Sequence, residues 1–395
     1  MRMTQLKTIA DIQTGPFGSQ LHKEDYVETG TPIVTVEHLG NRVFTEQNLP
    51  RVSDSDKARL IKYTLSTGDI VFSRVGSVDR CSYVDKSHDG WMFSGRCLRV
   101  RPTELVDSLY LYYYFCLEET KQFVRNIAVG ATMPSINTKL LGEVEIALPD
   151  LNNQKRIAAV LSSLDDKIEN NQKLNDNLEQ QAQAFFQELF VDNADPEWAI
   201  GTISDLGAVV GGSTPSKAKP EYYTETGIAW ITPKDLSVNK SKFISHGEND
   251  ITELGLKNSS ATIMPEGTVL FSSRAPIGYI AVAAGEVTTN QGFKSIVPKP
   301  EIGTAFVYYF LKHNLPIIEG MASGSTFKEV SGSTMKGVPA VIPDTDTIAR
   351  FNDFCSPIFA QQRILEEQNQ SLATLRDDLL PKLMSGEIDV SDIQL

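Results

Sequence analysis

The chain has 395 residues, of which 41% are hydrophobic and 22% charged, and its 37 Lys and Arg against 50 Asp and Glu give a formal charge of −13. That composition excludes a disordered chain and leaves room for two or three domains with cores of their own. Four cysteines without a CxxC pair exclude a disulfide scaffold, no apolar run approaches the roughly 20 residues a membrane-spanning helix needs, and the acidic total speaks against a nucleic-acid partner.

The first residues, Met1–Asp11, hold no apolar stretch of the kind a secretory signal carries, so a reduced, cytoplasmic chain is expected. Residues 1–150 then carry short β-branched and aromatic runs, among them Thr31–Val36, Asp69–Ser73 and Gly95–Val100. Gly, Pro, Asn and Asp punctuate them, which predicts strands and turns. A nearly all-apolar helix is expected over Ser108–Phe123. Its aromatic side chains are of the type that stacks on bases, but at helical spacing they read as core.

From Asp150 to Val191 there is neither Gly nor Pro. Ile157, Leu161, Leu164, Ile168, Leu178, Ala182, Phe185 and Leu189 step by fours and threes, with Asn171 and Asn175 bridging the gap in register. That is the heptad pattern of a coiled-coil seam, with Asp150 or Asn152 as its N-cap. Phe186 and Phe190 lie off the seam and are available to face a partner.

Residues 193–344 return to the strand-and-turn pattern, with runs Thr268–Ser272, Tyr279–Ala284 and Lys294–Val297 and a short apolar helix over Thr304–His313. A second seam follows in residues 345–395: Phe351, Phe354, Ile358, Gln361, Leu365, Gln368, Leu372, Leu375 and Leu379. Polar residues near the middle of each seam weaken packing but fix register and partner number. Pro357 predicts a bend or a late start for this helix. Two heptad helices in one chain most simply pack on each other, and residues 157–189 make a rod of about 50 Å.

The two halves are copies. LKTIADI (Leu6–Ile12) lines up with IGTISDL (Ile200–Leu206), and YVETGTPIVTVEHL (Tyr26–Leu39) with YTETGIAWITPKDL (Tyr223–Leu236). TGDIVFSR (Thr67–Arg74) answers EGTVLFSSR (Glu266–Arg274), and the stretch Val129–Asp150 parallels Ser323–Asp344. A tandem repeat with small compensating insertions explains the drift and return of the offset.

No reaction is announced. There is no GxxxxGK[ST] or GxGxxG, no GxSxG or HExxH, and the five histidines lack metal-ligand spacing. Gly211–Pro215 is Gly-rich but reads as a turn. Pro149-Asp150 with Gln154-Lys155 resembles a nuclease metal motif only superficially. A non-catalytic chain without a cofactor or metal is expected.

Region by region, the charge tells a different story. Residues 1–150 carry 17 basic and 19 acidic groups and residues 199–344 carry 12 and 13, whereas the helical stretches 151–198 and 345–395 carry 4 and 9 each. The globular parts are near neutral, with local basic groups: Arg96, Arg99 and Arg101 at strand-like spacing, Lys234, Lys240 and Lys242. The candidate DNA-contacting residues are Arg74, Lys217, Lys219, Arg274, Asn290, Gln291 and Lys294, since Lys and Arg on turns grip phosphates while Arg, Asn and Gln read base edges.

This order of parts resembles the specificity subunit of type I restriction-modification systems. The resemblance covers essentially the whole chain and is carried by Gly211–Leu236 with its first-copy version Thr14–Leu39, by TTNQGF (Thr288–Phe293), by the junction Val129–Ile168 and by LATLRDDLLPKLMSGEIDV (Leu372–Val390). The second junction departs from the first, reading STFKEVSGSTMKGVPAVIPD. The resemblance implies an α+β chain with a pseudo-two-fold repeat: target-recognition domains at 1–150 and 193–344, and long antiparallel coiled-coil helices at 151–192 and 345–395. Each domain would read half of a bipartite double-stranded DNA site, and the helices would set the spacer. Two methyltransferase (modification) subunits would dock on the helices, and restriction/translocase subunits would join them. S-adenosylmethionine, ATP and Mg²⁺ would belong to those partners. On the residues alone, two other readings stay open: a self-sufficient DNA methyltransferase or nuclease with unrecognised motifs, and a structural coiled-coil protein without a DNA role.

Overall fold

The computed structural model describes residues 2–16, 18–324 and 328–393. Phe17 of the first opening motif and residues 325–327 of the second junction lie outside the described residues. Two compact units form: residues 1–168 with 371–395, and residues 169–370. The long helices, Leu151–Gln187 and Thr345–Ser385, therefore do not stand apart as bodies of their own; each contributes to both units.

In the first unit, the strands Ala10–Thr14, Cys97–Pro102, Ile70–Ser73 and Cys81–Tyr83 make an antiparallel sheet in that order. A second sheet has the order Tyr26–Val27, Arg51–Val52, Thr31–Val34, Met92–Phe93, its last pair parallel. Arg2–Gln5 pairs with Glu145–Leu148 beside the start of the central helix. The second unit repeats this plan. Gly207–Gly211, Lys294–Pro298, Val269–Ser273 and Ile277–Ala283 form the first sheet, extended by the short parallel strand Phe243–Ile244. Tyr223–Thr224, Asp250–Ile251, Ile228–Ile231 and Thr288–Thr289 form the second, and Ala199–Thr202 pairs with Pro339–Ile342.

The apolar helix expected over Ser108–Phe123 is two helices, Ser108–Cys116 and Glu118–Ile127, because Leu117 takes an extended backbone (φ −57°, ψ 133°) between them. Tyr110, Tyr113 and Phe115 are buried in the first core, and Phe306, Tyr309 and Phe310 of Thr304–His313 in the second. These rings have no face left for bases.

Asp150 caps the central helix by accepting from Asn153 N–H at 3.1 Å, and Asp344 caps the C-terminal helix by accepting from Thr347 N–H at 2.8 Å. The C-terminal helix begins at Thr345 and runs through Pro357, so the expected late start does not occur. Pro357 and Asp353, whose carbonyl loses its usual partner, are both exposed, so that carbonyl is open to solvent.

The central seam residues Ile157 and Leu161 are buried in the first unit, and Ala182 and Leu189 in the second; Leu164, Ile168, Asn175, Leu178 and Phe185 are half-buried. The C-terminal helix follows a different stripe from the expected one. Phe351, Ile358, Leu365, Leu372 and Leu379 face inward, but the alternate line runs through Cys355, Gln362, Asn369, Arg376 and Leu383 rather than Phe354, Gln361, Gln368 and Leu375. Phe354 is 40% exposed, though its ring still meets Phe185 with centroids 4.5 Å apart, and Leu375 is 46% exposed. The inward line is polar because each member has a partner. Asn171 donates to Asn369 Oδ1 at 2.9 Å in the second unit, and Arg376 donates to Asp165 Oδ1 at 2.7 Å in the first. Within the second unit Asn171 meets Asn369, Asn175 meets Glu366 and Glu179 meets Gln362, so the two helices are antiparallel there. Phe186 and Phe190 are not left for a partner. They pack on Phe306 and Phe351 of the second unit, with centroids 4.8 to 6.0 Å apart.

Candidate nucleic-acid interface

Each unit gathers three segments at one end of its first sheet. In the first unit these are the end of Ala10–Thr14, the turn after Ile70–Ser73, and the loop 94–96. In the second they are the end of Gly207–Gly211, the turn after Val269–Ser273, and the loop 290–292. Glycine is required where the first segment meets the loop. A Cβ on Gly15 would lie 2.2 Å from Ser94 O and one on Gly212 1.9 Å from Asn290 O, closer than any side chain tolerates. The same backbone hydrogen bonds recur: Ser94 N–H donates to Val34 O and Asn290 N–H to Ile231 O, and Gly15 and Gly212 N–H donate to Cys97 O and Phe293 O.

These shared bonds show which residues correspond. Ile136 N–H donates to Arg74 O, while Val330 N–H donates to Ser273 O, and Gly76 and Ala275 both take positive φ (77° and 50°). Arg74 therefore corresponds to Ser273, and Arg274 lies one residue farther on. The pairing of the two arginines suggested by FSR and FSSR is a near miss of one residue.

In the second unit Arg274, Asn290, Gln291 and Lys294 come together. Asn290 Oδ1 accepts from Gly292 N–H at 2.8 Å and shapes the loop. Gln291 is exposed and accepts from the Thr214 hydroxyl. Lys294 Nζ donates to Gln291 O at 3.4 Å. Glu329, which sequence reasoning missed, stands between the two cations, 3.4 Å from Arg274 and 3.6 Å from Lys294. The loop of Ser213 and Pro215 is pinned from beneath by Trp230 Nε1, which donates to Ser213 O at 3.0 Å, and by the Tyr223 hydroxyl, which donates to Pro215 O at 2.6 Å. Lys217 and Lys219 follow on the same loop, both exposed; Lys219 is 3.8 Å from Glu221. Neither is in contact with the Arg274 cluster. In the first unit Arg74 donates to Gly95 O at 3.1 Å, and Arg96 is exposed beside it.

Other basic residues serve the fold. Arg99 is 4% exposed and donates to Asp11 at 2.8 Å; Arg101 makes two bonds of 2.7 Å to the buried Asp69. Lys242 is not a surface charge. It is buried against Glu179 of the central helix and donates to Gln362 Oε1 of the C-terminal helix at 2.6 Å. Lys312 and the Tyr309 hydroxyl also reach Glu179, at 2.6 and 2.8 Å. Burial opposes ionisation of Glu179, but the charges and hydrogen bonds of Lys242 and Lys312 outweigh it and hold its carboxyl at about 2. Glu366 accepts from Lys242 N–H and Phe243 N–H, yet burial keeps its carboxyl above the usual range.

The first unit builds the equivalent anchor from different parts. Arg42 and Lys242 correspond, since the carbonyls of both accept from the neighbouring strand (Tyr83 and Val282 N–H, 2.7 Å each). Arg42 pairs with Asp166 and donates to Ser162 O at 3.2 Å; the Tyr113 hydroxyl donates to Asp165 at 2.6 Å. In each unit a basic loop residue and a tyrosine thus lock the globular part to acids of the central helix. Among the described residues, no His, Cys, Asp and Glu side chains converge as a metal-binding group, and no helix is long and apolar enough to cross a membrane.

A family model described as the type I restriction modification DNA specificity domain matches this chain twice, over residues 1–180 and 196–374. The type I restriction enzyme MjaIX specificity subunit of Methanocaldococcus jannaschii is 39% identical over 191 residues, covering 46% of this chain and 44% of that protein. The match thus spans less than half of that relative's length. The HindI specificity subunit of Haemophilus influenzae is 24% identical over 406 residues, covering 83% and 88%. The crystal structure of a type I restriction-modification S subunit from M. genitalium shares the fold, with a TM-score of 0.60 at 18% identity over 97% of this chain and 95% of that one.

Proposed function

The chain belongs to the type I restriction modification DNA specificity family, and from that premise we propose that it is the sequence-reading, non-catalytic subunit of a cytoplasmic restriction-modification complex. Each globular part reads one half of a bipartite site in double-stranded DNA. Two methyltransferase subunits dock on the long helices, and restriction/translocase subunits join them. The observation that carries this reading is the repeat itself: one loop framework, closed by Gly15 in one unit and Gly212 in the other, presents different polar side chains in each. Two readers with unlike side chains call for two unlike half-sites. The antiparallel heptad helices then fix the number of unread base pairs. A helical turn of B-DNA is about 34 Å, so a rod of about 50 Å is of the right order.

Within each tip, the end of the first sheet where the three segments meet, lysines and arginines on turns hold phosphates and set register, while amide and carboxylate groups read base edges in the major groove. The test is selection from a random DNA library by the complex of this chain with its methyltransferase subunits. A bipartite motif with a fixed spacer is expected, and matched one-heptad insertions in both long helices are expected to change that spacer. Absence of any enriched motif refutes DNA reading; an enriched motif whose spacer ignores the insertions refutes the spacer role alone.

A further inference from the structure

The correspondence of the two tips separates the residues that build the framework from those free to vary on it. Where the backbone bonds are shared, the side chains differ: Ser94 against Asn290, Gly95 against Gln291, and Leu98, which pairs with Thr14, against Lys294, which pairs with Gly211. The antiparallel bridges Val129–Ser135 and Ser323–Glu329 place Glu329 where the first unit has Ser135. Where a position supports the framework the copies keep its chemical character, as Arg42 and Lys242 both stay basic and face acids of the central helix. Glu329 replaces a small hydroxyl with a charged group that is 37% exposed and packs into no core.

We propose that Glu329 determines specificity in the second domain by accepting a hydrogen bond from the exocyclic amino group of a cytosine at one position of its half-site. This rests on the DNA-reading function proposed above. Arg274 donates one hydrogen bond to Glu329 at 3.4 Å and Lys294 stands 3.6 Å away, which aims the carboxylate and leaves most of its roughly four acceptor sites open. The two flanking cations offset its repulsion from phosphates. A carboxylate only accepts, so it cannot grip phosphate, and it cannot satisfy adenine, which presents an acceptor beside its amino group. Cytosine, whose major-groove edge offers an amino donor, is the base it fits.

The test is the library selection with the wild-type chain, Glu329→Gln and Glu329→Ser, the last restoring the first domain's residue, each in complex with the methyltransferase subunits. Both variants are expected to lose cytosine preference at one position of one half-site, by about 5- to 150-fold. The other half-site and the spacer stay unchanged and report that the chain is folded. An unchanged motif overturns the proposal. So does a uniform gain in affinity for all sequences, which would make Glu329 a simple repulsive charge. A wild-type complex that enriches no motif overturns the DNA-reading function itself, and this assignment with it.

Discussion

Replacing Glu179 by Gln removes the one negative charge that Lys242 and Lys312 share in the second unit. Lys242 is 6% exposed at its side chain, with the rings of Tyr308, Tyr309 and Phe359 at 4.2 to 5.2 Å. It cannot reach water by a rotamer change. Breaking a buried pair by removing one partner costs about 3–5 kcal/mol, because the remaining charge stays desolvated. Lys312 is 34% exposed and can turn to solvent, and the three rings already face the Lys242 ammonium, so the lower end, about 3 kcal/mol, is expected. With a urea m-value of about 2–3 kcal/mol/M, that moves the midpoint by roughly 1 M. In a Trp91→Phe background, fluorescence reports from Trp198 and Trp230, both in the second unit. The double variant Glu179→Gln with Lys242→Met removes the desolvated pair, leaving Glu366 and the partly exposed Lys312, and is expected to recover more than half of the loss. A midpoint within 0.3 M of wild type for the single variant, or no recovery in the double, would refute the account of this cluster.

Acidification tests the same site with a defined sign. Glu179, held at about 2 against an ordinary 4.5, contributes stability that is present above about pH 4.5 and is lost as pH falls towards 2, about 3 kcal/mol in full. Glu366 is raised instead and offsets part of that loss, so Glu366→Gln is expected to make the urea midpoint fall more steeply between pH 5 and 3. Phe351→Ala, at a fully buried position, is expected to cost about 3–5 kcal/mol, whereas Phe354→Ala, at a site 40% exposed, costs under about 1.5; equal losses would return the seam to the register read from apolar residues alone. In the complex, Arg274→Ala and Lys294→Ala are each expected to lower the salt slope by about one and weaken binding to all sequences, with a further loss of preference at the position Glu329 reads, measured by titrating cognate and substituted sites at several salt concentrations.

The framework was legible because it repeats and because apolar residues mark it. The strands around Asp69–Ser73 and Lys294–Val297 and the buried helix Thr304–His313 follow from local pattern, and each occurs where its periodicity places it. Pattern failed where a polar residue is buried with a partner. Leu375 looks like a seam residue beside Arg376, yet Arg376 turns inward because Asp165 waits on the facing helix. Lys242 looks like a surface base, yet its side chain meets Glu179, 63 residues earlier, and its N–H meets Glu366, 124 residues later. No local window contains both members of such a pair. The proposed interface was half-legible for a related reason. Arg274, Asn290, Gln291 and Lys294 advertise themselves by type, but Glu329 carries the wrong sign for a DNA surface and enters only through the bridge to Ser323.

The total of −13 misleads because it averages over the chain. Of it, −10 lies in the helical stretches 151–198 and 345–395, while residues 1–150 and 199–344 stand at −2 and −1. At 0.1 M salt the field of the helical stretches is screened beyond a Debye length of about 10 Å. What a DNA backbone meets is the local balance at each tip. In the second unit Arg274 and Lys294 outnumber Glu329, with Lys217 and Lys219 exposed on the same loop as Thr214. A handful of cations at each tip supports only a few phosphate contacts, and affinity at physiological salt rises steeply with their number. On the proposed function, such a chain is suited to choosing the sequence, while tight retention requires basic surface contributed by partner subunits.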